Sequence, residues 1–433
     1  MNFAGRFADV FRTRGDSGER HAKTYLKGLL SKEPSKNMER MAEVIEGTSW
    51  QNLQQFISDS KWDDRELWDR IAECANARLG GHRDSMLIID ESAEAKQGES
   101  SVGVARQYNG RLGKLENSQV GVYSVLARGP EATMVGVRLF LPDEWVEDKE
   151  RCLKVGVPEE EIRKRTKIDL ARELIDQAME QKLDIKGVCF DSFYGRDQSL
   201  LAEISALGLL VVADIPTNTM VWPEKPAGSD RRKKPGDSGA VRADKLPLPE
   251  LKNVSLRDGE NGPVIVQVAA IRVWIWPQDN EETSPWWLVL MVQSDGTRKH
   301  SLINAPGDTR LEVLARWQGQ RFFVEQTFKN AKSHVGAGDY QIRKWRGWHH
   351  HMALVGLALL FLLEEKQDHR ATMPLLSVSD ITEMLDYYFC TAASAETIVR
   401  RVCSRHQRRA RVTESKRRMA RKRRLATPKL ATK

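Results

Sequence analysis

The sequence is poor in cysteine and has no long hydrophobic run. Its 433 residues include five cysteines, with no Cys-x-x-Cys pair and no Cys/His cluster at zinc-ligand spacing, which favours a reducing compartment. The longest apolar run, residues 352–363, has 12 residues, whereas a membrane-spanning helix needs roughly 20. No basic segment followed by an apolar one opens the chain. These absences predict a cytoplasmic protein that is not embedded in a membrane.

The composition is that of a globular protein with a basic tail. The hydrophobic fraction of 40% and the mean hydropathy of −0.51 exclude a mainly disordered or multi-span membrane protein. Residues 400–433 contain 15 Lys and Arg and one acidic residue, so the rest of the chain carries a net charge of −6. Such a tail typically binds phosphate, although a solvated tail without a specific partner is the alternative. Like charges four residues apart predict that it becomes helical only on DNA.

The N-terminal part, residues 1–80, is predicted to be an all-helical domain. Apolar residues recur at helical spacing from residue 23 to residue 75. Ser35 and Asp63 lie where N-caps are expected, and Gly80-Gly81 ends the region. Small helical domains of this kind bind DNA or pack on a neighbouring domain about equally often, and we expect DNA binding here.

An α/β core is predicted from residue 81 to residue 216. The pattern indicates three strands, a helix, a strand, a second helix and a fifth strand, with a hairpin turn at Gly129-Pro130. Helical crossovers between the last strands permit parallel pairing. The predicted elements are strands at 86–90, 118–127 and 133–141, a helix at 169–182, a strand at 187–191, a helix at 198–207 and a strand at 209–214.

A β-rich insertion is predicted at residues 217–308, between the fifth strand and a long helix beginning near residue 309. It opens with a basic loop at 223–250 and continues with strands at 264–276, 286–293 and 298–304. The core resumes over residues 309–370, with a second helix at about 345–366. The remainder, residues 371–433, is predicted to be a helical region that ends in the basic tail.

Three carboxylates occupy informative positions. Asp90 and Asp191 each end an apolar strand, in LIID and GVCFD, where a lone buried charge is costly unless it is paired or binds a cation. Either residue alone could instead be a helix N-cap. Glu325 shares a polar helical stripe with Arg321 and Lys332, and its alternative role is a surface Arg/Glu pair.

These residues and their surroundings resemble bacterial insertion-sequence DDE transposases of the branch with an Arg-x3-Glu-x6-Lys signature, here Arg321, Glu325 and Lys332. The resemblance covers residues 84–363 and is carried by four blocks in the family's order. The blocks are LIIDES, KQGESSVGVARQYNGRLGKLENSQVGVY, FDSFYG and VEQTFKNAKSHVGAGDYQIRKWRGWHHHMAL. The second and fourth blocks are long enough to be specific.

The resemblance implies a ribonuclease-H-like core in which Asp90, Asp191 and Glu325 bind two Mg²⁺ ions, with Mn²⁺ as a substitute. Two divalent ions suit phosphodiester cleavage, because one activates the attacking hydroxyl and the other holds the leaving oxygen. The implied partners are double-stranded DNA, at the element's terminal inverted repeats and at the target, and a second copy of the chain in the DNA complex. The implied location is the bacterial nucleoid.

Further DNA-binding residues are expected outside the acidic triad. Arg321 and Lys332 can bind phosphate, and the position three residues before Arg321, commonly Tyr in this branch, is Gln318. His349–His351 begin an apolar helix, and we expect structural or DNA-contacting roles for them in place of metal binding. In related transposases an insertion here holds the transposon end, and an aromatic residue there stacks on a displaced base. The remaining candidates are Trp274, Trp276, Trp286 and Trp287 in the insertion and Arg417, Arg418, Arg421, Lys422, Arg423 and Arg424 in the tail.

The sequence therefore predicts a metal-dependent DNA transposase that cuts and joins DNA. One alternative is a domesticated DNA-binding protein of the same fold that has lost mobility, although the presence of all three acids argues against it. The other is a structure-specific nuclease that cuts without joining. Fold-level resemblance alone does not separate these functions.

Overall fold

The computed structural model describes residues 3–12, 18–110, 112–226, 239–259, 262–275, 285–389 and 395–426. The predicted helices and strands occur in the predicted order, but the long helix expected from residue 309 is two helices, Leu311–Gly319 and Phe322–His334. The N-terminal part contains α1 (Gly18–Leu30), α2 (Met38–Val44), α3 (Trp50–Ser58) and α4 (Asp64–Leu79). Asp63 caps α4 as predicted, and Gly80 follows its last turn. Ser35 was the wrong cap for α2, because that helix begins at Met38 and the side chain of Asn37 accepts the Arg40 amide.

The central region alternates strands and helices. Its strands are β1 (Ser85–Ala95), β2 (Ala105–Asn109), β3 (Lys114–Arg128), β4 (Glu131–Leu139), β5 (Gly187–Phe190) and β6 (Leu210–Ile215). Its helices are α5 (Asp143–Val146), α6 (Lys149–Lys154), α7 (Lys167–Glu180) and α8 (Gln198–Ala206). The β3–β4 turn is at Gly129, whose φ of 57° favours glycine. The five predicted strands are present, and β2 is an additional one.

The later strands form a separate short pair and a continuation of the large sheet. They are the short pair β7 (Met220–Val221) and β8 (Val241–Arg242), and then β9 (Lys252–Gly259), β10 (Gly262–Val273), β11 (Trp286–Val292) and β12 (Arg298–Ile303). β12 pairs antiparallel with β6. The large sheet has the order β2-β3-β1-β5-β6-β12-β11-β10-β9, with β4 also paired to β3. β1, β5 and β6 are parallel to one another.

The remaining helices are α9 (Leu311–Gly319), α10 (Phe322–His334), α11 (Trp345–Asp368), α12 (Val378–Phe389) and α13 (Ala395–Ala426). α11 is buried along most of its length and contacts α1, α3, α4 and β4, so the N-terminal helices and the sheet share one hydrophobic core. The basic tail lies in α13, whose many Arg, Ala and Lys residues have high helix propensity. No helix in the described part of the chain is long and apolar enough to cross a membrane.

Candidate active site

Three aspartates lie side by side where the parallel pairing of β1, β5 and β6 ends. The prediction that Asp90 ends its strand was wrong, because β1 continues to Ala95 through its pairing with β3. β1 and β5 pair with Ile89 opposite Phe190, and β5 and β6 pair with Phe190 opposite Ala213. The next residue on each strand is therefore Asp90, Asp191 or Asp214. Neighbouring strands are about 4.8 Å apart, and residues in register on parallel strands point to the same face. The sheet thus builds a row of three carboxylates across β1, β5 and β6.

Sequence reasoning found two members of this row and missed Asp214. The missed residue ends the apolar strand LVVAD in the same way that Asp90 ends LIID and Asp191 ends GVCFD. The same sequence signal was therefore available for all three.

Asp90 has a strongly raised pKa. Its Oδ1 accepts the Glu91 amide at 2.8 Å, and its Oδ2 is 3.4 Å from Nη1 of Arg321. Burial, with a further contribution from the neighbouring Asp191, raises the pKa of Asp90 to about 7 despite the opposing effect of Arg321. An ionised Asp90 therefore depends on nearby positive charge.

Asp191 begins a tight turn after β5. Its Oδ1 accepts the amides of Phe193 and Tyr194 at 2.9 and 3.2 Å. Asp191 is therefore not a helix N-cap, because the next helix, α8, begins at Gln198 and is capped by Asp197. Among the described hydrogen bonds of its side chain, both use Oδ1. Burial raises the pKa of Asp191, while the Tyr194 amide opposes the shift. The Tyr194 hydroxyl also donates to Glu91 at 2.9 Å, which ties the turn to β1.

Glu325 lies in the first turn of α10 and is linked to the row of aspartates by Arg321, which contacts Glu325, Asp90 and Asp214. α10 buries Val324, Thr327 and Ala331 towards the core, and Phe328 packs edge-on against Tyr123 of β3. Nη2 of Arg321 is 3.0 Å from Glu325. The Glu325 side chain is 56% exposed, whereas that of Arg321 is 16% exposed. Glu325 is therefore at the solvent side of the site, turned to the guanidinium.

Arg321 is the central cation of the site. Its Nε is 3.2 Å from Asp214, while its Nη atoms contact Asp90 and Glu325. Burial alone would lower the pKa of Arg321, but Asp214, Asp90 and Glu325 raise it above its ordinary value. One buried guanidinium thus neutralises carboxylates from β1, β6 and α10.

The carboxylates of Asp90, Asp191 and Glu325 suit a hard divalent cation, provided that Glu325 moves away from Arg321. Carboxylate oxygens are the ligands that Mg²⁺ and Mn²⁺ prefer, and Asp90 and Asp191 are neighbours on adjacent strands. In the described part of the chain, however, no three His, Cys, Asp or Glu side chains are grouped closely enough to hold a metal. The sheet therefore supplies two acids, and Glu325 would join them only after leaving Arg321.

Lys332 is on the same side of α10 as Arg321 and Glu325 but contacts a different part of β1. Its Nζ is 2.5 Å from Glu94 and donates to the Ala93 carbonyl at 3.2 Å. The predicted polar stripe is therefore present on the helix, and Lys332 extends it along β1 away from Asp90.

The tryptophans of the insertion differ in exposure. Trp286 is 5% exposed and belongs to the core. Trp274 is half-buried and forms a β-bridge with Trp222. Trp287 is half-buried, donates to the Pro306 carbonyl at 3.0 Å and stacks with the Arg272 guanidinium. Trp276 lies outside the described residues. Of the three that are described, Trp286 has the least surface to offer a nucleotide base.

The described contacts of the histidine run and the tail do not involve Asp90, Asp191 or Glu325. His349, His350 and His351 are buried, and His350 stacks on Trp62 with ring centroids 3.7 Å apart. His351 bonds to Tyr25 at 2.8 Å. These contacts give the run a structural role between α11 and the N-terminal helices. Arg417, Arg418 and Arg421 are exposed on α13; Lys422, Arg423 and Arg424 follow on the same helix, and their side chains lie outside the described part.

The fold and the site together define a class: a mixed α/β protein with a large mixed sheet, consistent with a ribonuclease-H-like fold, that has carboxylates where the parallel pairing of adjoining strands ends. The chain belongs to the DDE superfamily endonuclease family, whose sequence model matches residues 7–263. Endonucleases of this family use divalent metal ions. The matched segment includes Asp90 and Asp191 and ends before Glu325.

A curated relative gives a second comparison. The chain is 30% identical over 195 residues to a probable transposase for insertion sequence element IS701 of Microchaete diplosiphon. This match covers 45% of the chain and 48% of the relative, so the chain spans about half the length of the curated relative that it matches.

Proposed function

We propose that the protein is a DNA transposase that cuts the ends of its own element and joins them to target DNA. The observation that carries this proposal is that Asp90 and Asp191 follow the last parallel pair of β1 and β5, and that Arg321 joins Asp90 to Glu325. Membership of the DDE endonuclease family and the similarity to a probable transposase support it.

Asp90, Asp191 and Glu325 would hold two Mg²⁺ ions, for which Mn²⁺ can substitute. Bound divalent ions would supply activation of the attacking hydroxyl and stabilisation of the leaving oxygen. Asp90 and Asp191 would hold their carboxylates on the sheet, with the turn after Asp191 fixing its orientation. Arg321 and Lys332 would donate hydrogen bonds to phosphate oxygens of the cut strand.

Different segments of the chain would have different roles on the DNA. We assign DNA binding to the helical residues 1–80, chemistry to the core at 81–216 and 309–370, and the hold on the transposon end to the insertion at 217–308. The basic end of 371–433 would bind DNA backbone. The substrates would be the terminal inverted repeats and the target duplex, and two copies of the chain would act together on them.

The test uses duplexes that carry the inverted repeats flanking the gene, a supercoiled target plasmid and Mg²⁺. We expect Asp90→Ala, Asp191→Ala and Glu325→Ala each to abolish cleavage and joining but to retain DNA binding, because the three acids act as one unit. Ca²⁺ should support binding without turnover. Asp84→Asn is the matched control, since Asp84 precedes the opposite end of β1. Cleavage near the wild-type rate by any of the three alanine variants would remove that residue from the site.

A second measurement separates a transposase from a nuclease. A duplex with a pre-cut 3′ end and the target plasmid are incubated with the wild-type protein and Mg²⁺. A transposase gives joined products, whereas a structure-specific nuclease gives cleavage of the first substrate and no joining of the second. A domesticated DNA-binding protein gives neither product.

A further inference from the structure

Asp214, the third aspartate of the row, is fixed from two sides. It lies in β6 opposite Ser301 of β12, and its side chain is 13% exposed. The Ser301 hydroxyl donates to Asp214 Oδ1 at 2.5 Å and accepts from Gln318 Nε2 at 2.6 Å. Oδ2 faces Nε of Arg321 at 3.2 Å. Both oxygens of Asp214 are therefore engaged by side chains.

A chain of hydrogen bonds leads from Gln318 through Ser301 to Asp214, which also accepts from Arg321. Gln318 donates to Ser301, Ser301 donates to Asp214, and Asp214 accepts from Arg321. Gln318 occupies the position where the resembling transposases commonly have Tyr, and it is buried with 5% exposure. Its amide therefore supports Asp214 from within the protein.

Arg321 and a divalent cation require the same carboxylates. The guanidinium contacts Asp90 through Nη1 and Glu325 through Nη2, and both acids belong to the proposed metal-binding triad. A buried charge that loses every partner is strongly destabilising. Arg321 can release Asp90 and Glu325 without that penalty only if another carboxylate stays with it, and Asp214 holds Nε, the atom that neither acid contacts.

We infer that Asp214 is a positioning residue, which retains Arg321 beside the site after Asp90 and Glu325 turn to the metal. Anchored through Nε, Arg321 would keep both Nη groups free to bind a phosphate, and Asp214 would partly neutralise its charge. This role rests on the proposed function, and it assigns to Asp214 a purpose different from metal ligation.

The experiment measures Ca²⁺ binding to the full-length protein by calorimetry at pH 8, without DNA. We expect Asp214→Asn to weaken Ca²⁺ binding about tenfold, because an unanchored Arg321 is left to pair with Asp90 and Glu325 alone and competes with the ion. Arg321→Gln should strengthen binding by a similar factor. Asp84→Asn is the control, since Asp84 has the same 13% exposure and an ion pair with Arg316 at 3.7 Å.

The double variant Asp214→Asn/Arg321→Gln decides the role of Asp214. If Asp214 acts through Arg321, the double variant should bind Ca²⁺ within about threefold of Arg321→Gln, so that the loss is rescued. If Asp214 is itself a ligand, or only supports the fold, the two effects add, so the double variant binds Ca²⁺ about tenfold more weakly than Arg321→Gln, near the wild-type affinity, and the inference is overturned. Unchanged binding by Asp214→Asn also overturns it.

Ser301→Ala provides a second variant should Asp214→Asn fail to fold. It removes the hydroxyl that orients Asp214 and leaves every charge in place, so we expect a loss in the same direction that Arg321→Gln again reverses. No effect of Ser301→Ala would then contradict the inference. Because Ca²⁺ binding is measured without cleavage, its outcome is independent of whether the wild-type protein cuts and joins DNA.

Discussion

Removal of the basic helix should change how DNA binding depends on salt. α13 has 32 residues, which gives a length of about 48 Å at 1.5 Å per residue. Thirteen Lys and Arg residues lie between residues 400 and 426. At 100° per residue they are distributed around the helix, and a face about 120° wide carries roughly six of them. The helix can therefore make about six phosphate contacts with one duplex.

Each contact releases counterions and contributes roughly −0.9 to the slope of log affinity against log salt. Truncation after Ile398 should then reduce the magnitude of the slope by about 5. Between 50 and 200 mM salt, the full chain should therefore lose about a thousandfold more DNA affinity than the truncated chain. Helix α13 has no zinc-ligand or glycine-aromatic pattern of a base-reading module. The loss should therefore be similar for element ends and for random DNA.

Fluorescence anisotropy with labelled duplexes, at salt concentrations from 50 to 200 mM, measures both quantities. The full chain and the truncated chain are compared on an element end and on a random duplex of equal length. An unchanged slope would refute backbone binding by α13. A loss of affinity confined to the element end would show that the helix selects sequence. The prediction that α13 binds only the DNA backbone would then be wrong.

Other parts of the molecule give further expectations. Burial lowers the pKa of His350 to about 4 and that of His351 to about 3, so folding stability should be complete above pH 6.5 and fall as the pH drops towards 4. Denaturation curves should show a loss of roughly 3 kcal/mol from His350 by pH 4, and His350→Gln should flatten this dependence. Gly195→Ala should lower cleavage about a hundredfold, because an added Cβ would lie 1.9 Å from the Asp214 carbonyl oxygen, whereas Gly307→Ala, in open space, should have no effect. Charge removal at Arg321 or Lys332 should weaken complexes with cut ends more than complexes with random duplex, and equal losses in a binding assay would reduce both residues to general electrostatics.

Local sequence patterns predicted much of the fold. The strands β1, β3, β5 and β6 are apolar runs, and α7 and α10 carry apolar stripes, so their positions follow from periodicity. β2 and β9 escaped prediction because they are short or polar, with sequences ARQYN and KNVSLRDG. The pairing of β12 with β6 was also beyond reach, since it joins residues about 90 positions apart and no local pattern records it.

The residues of the candidate site were predicted from local patterns, but most of their contacts were not. Asp90, Asp191 and the Arg321/Glu325 stripe follow from strand ends and helical spacing. The Arg321 contacts to Asp90 and Asp214 do not, because they depend on where α10 crosses the sheet. Asp214 follows an apolar strand segment as the other two aspartates do, but the three-acid pattern of the resembling family has no position for a fourth carboxylate.

The continuity of the sheet has a consequence for how this chain can evolve. β12 lies within residues 217–308, yet its Ser301 is hydrogen-bonded to Asp214 of β6. A lineage that discarded residues 217–308 would lose more than the strands of that segment, because the same deletion removes the hydroxyl that orients Asp214. We therefore expect shortened relatives of this chain to carry a change at Asp214 or Arg321 as well.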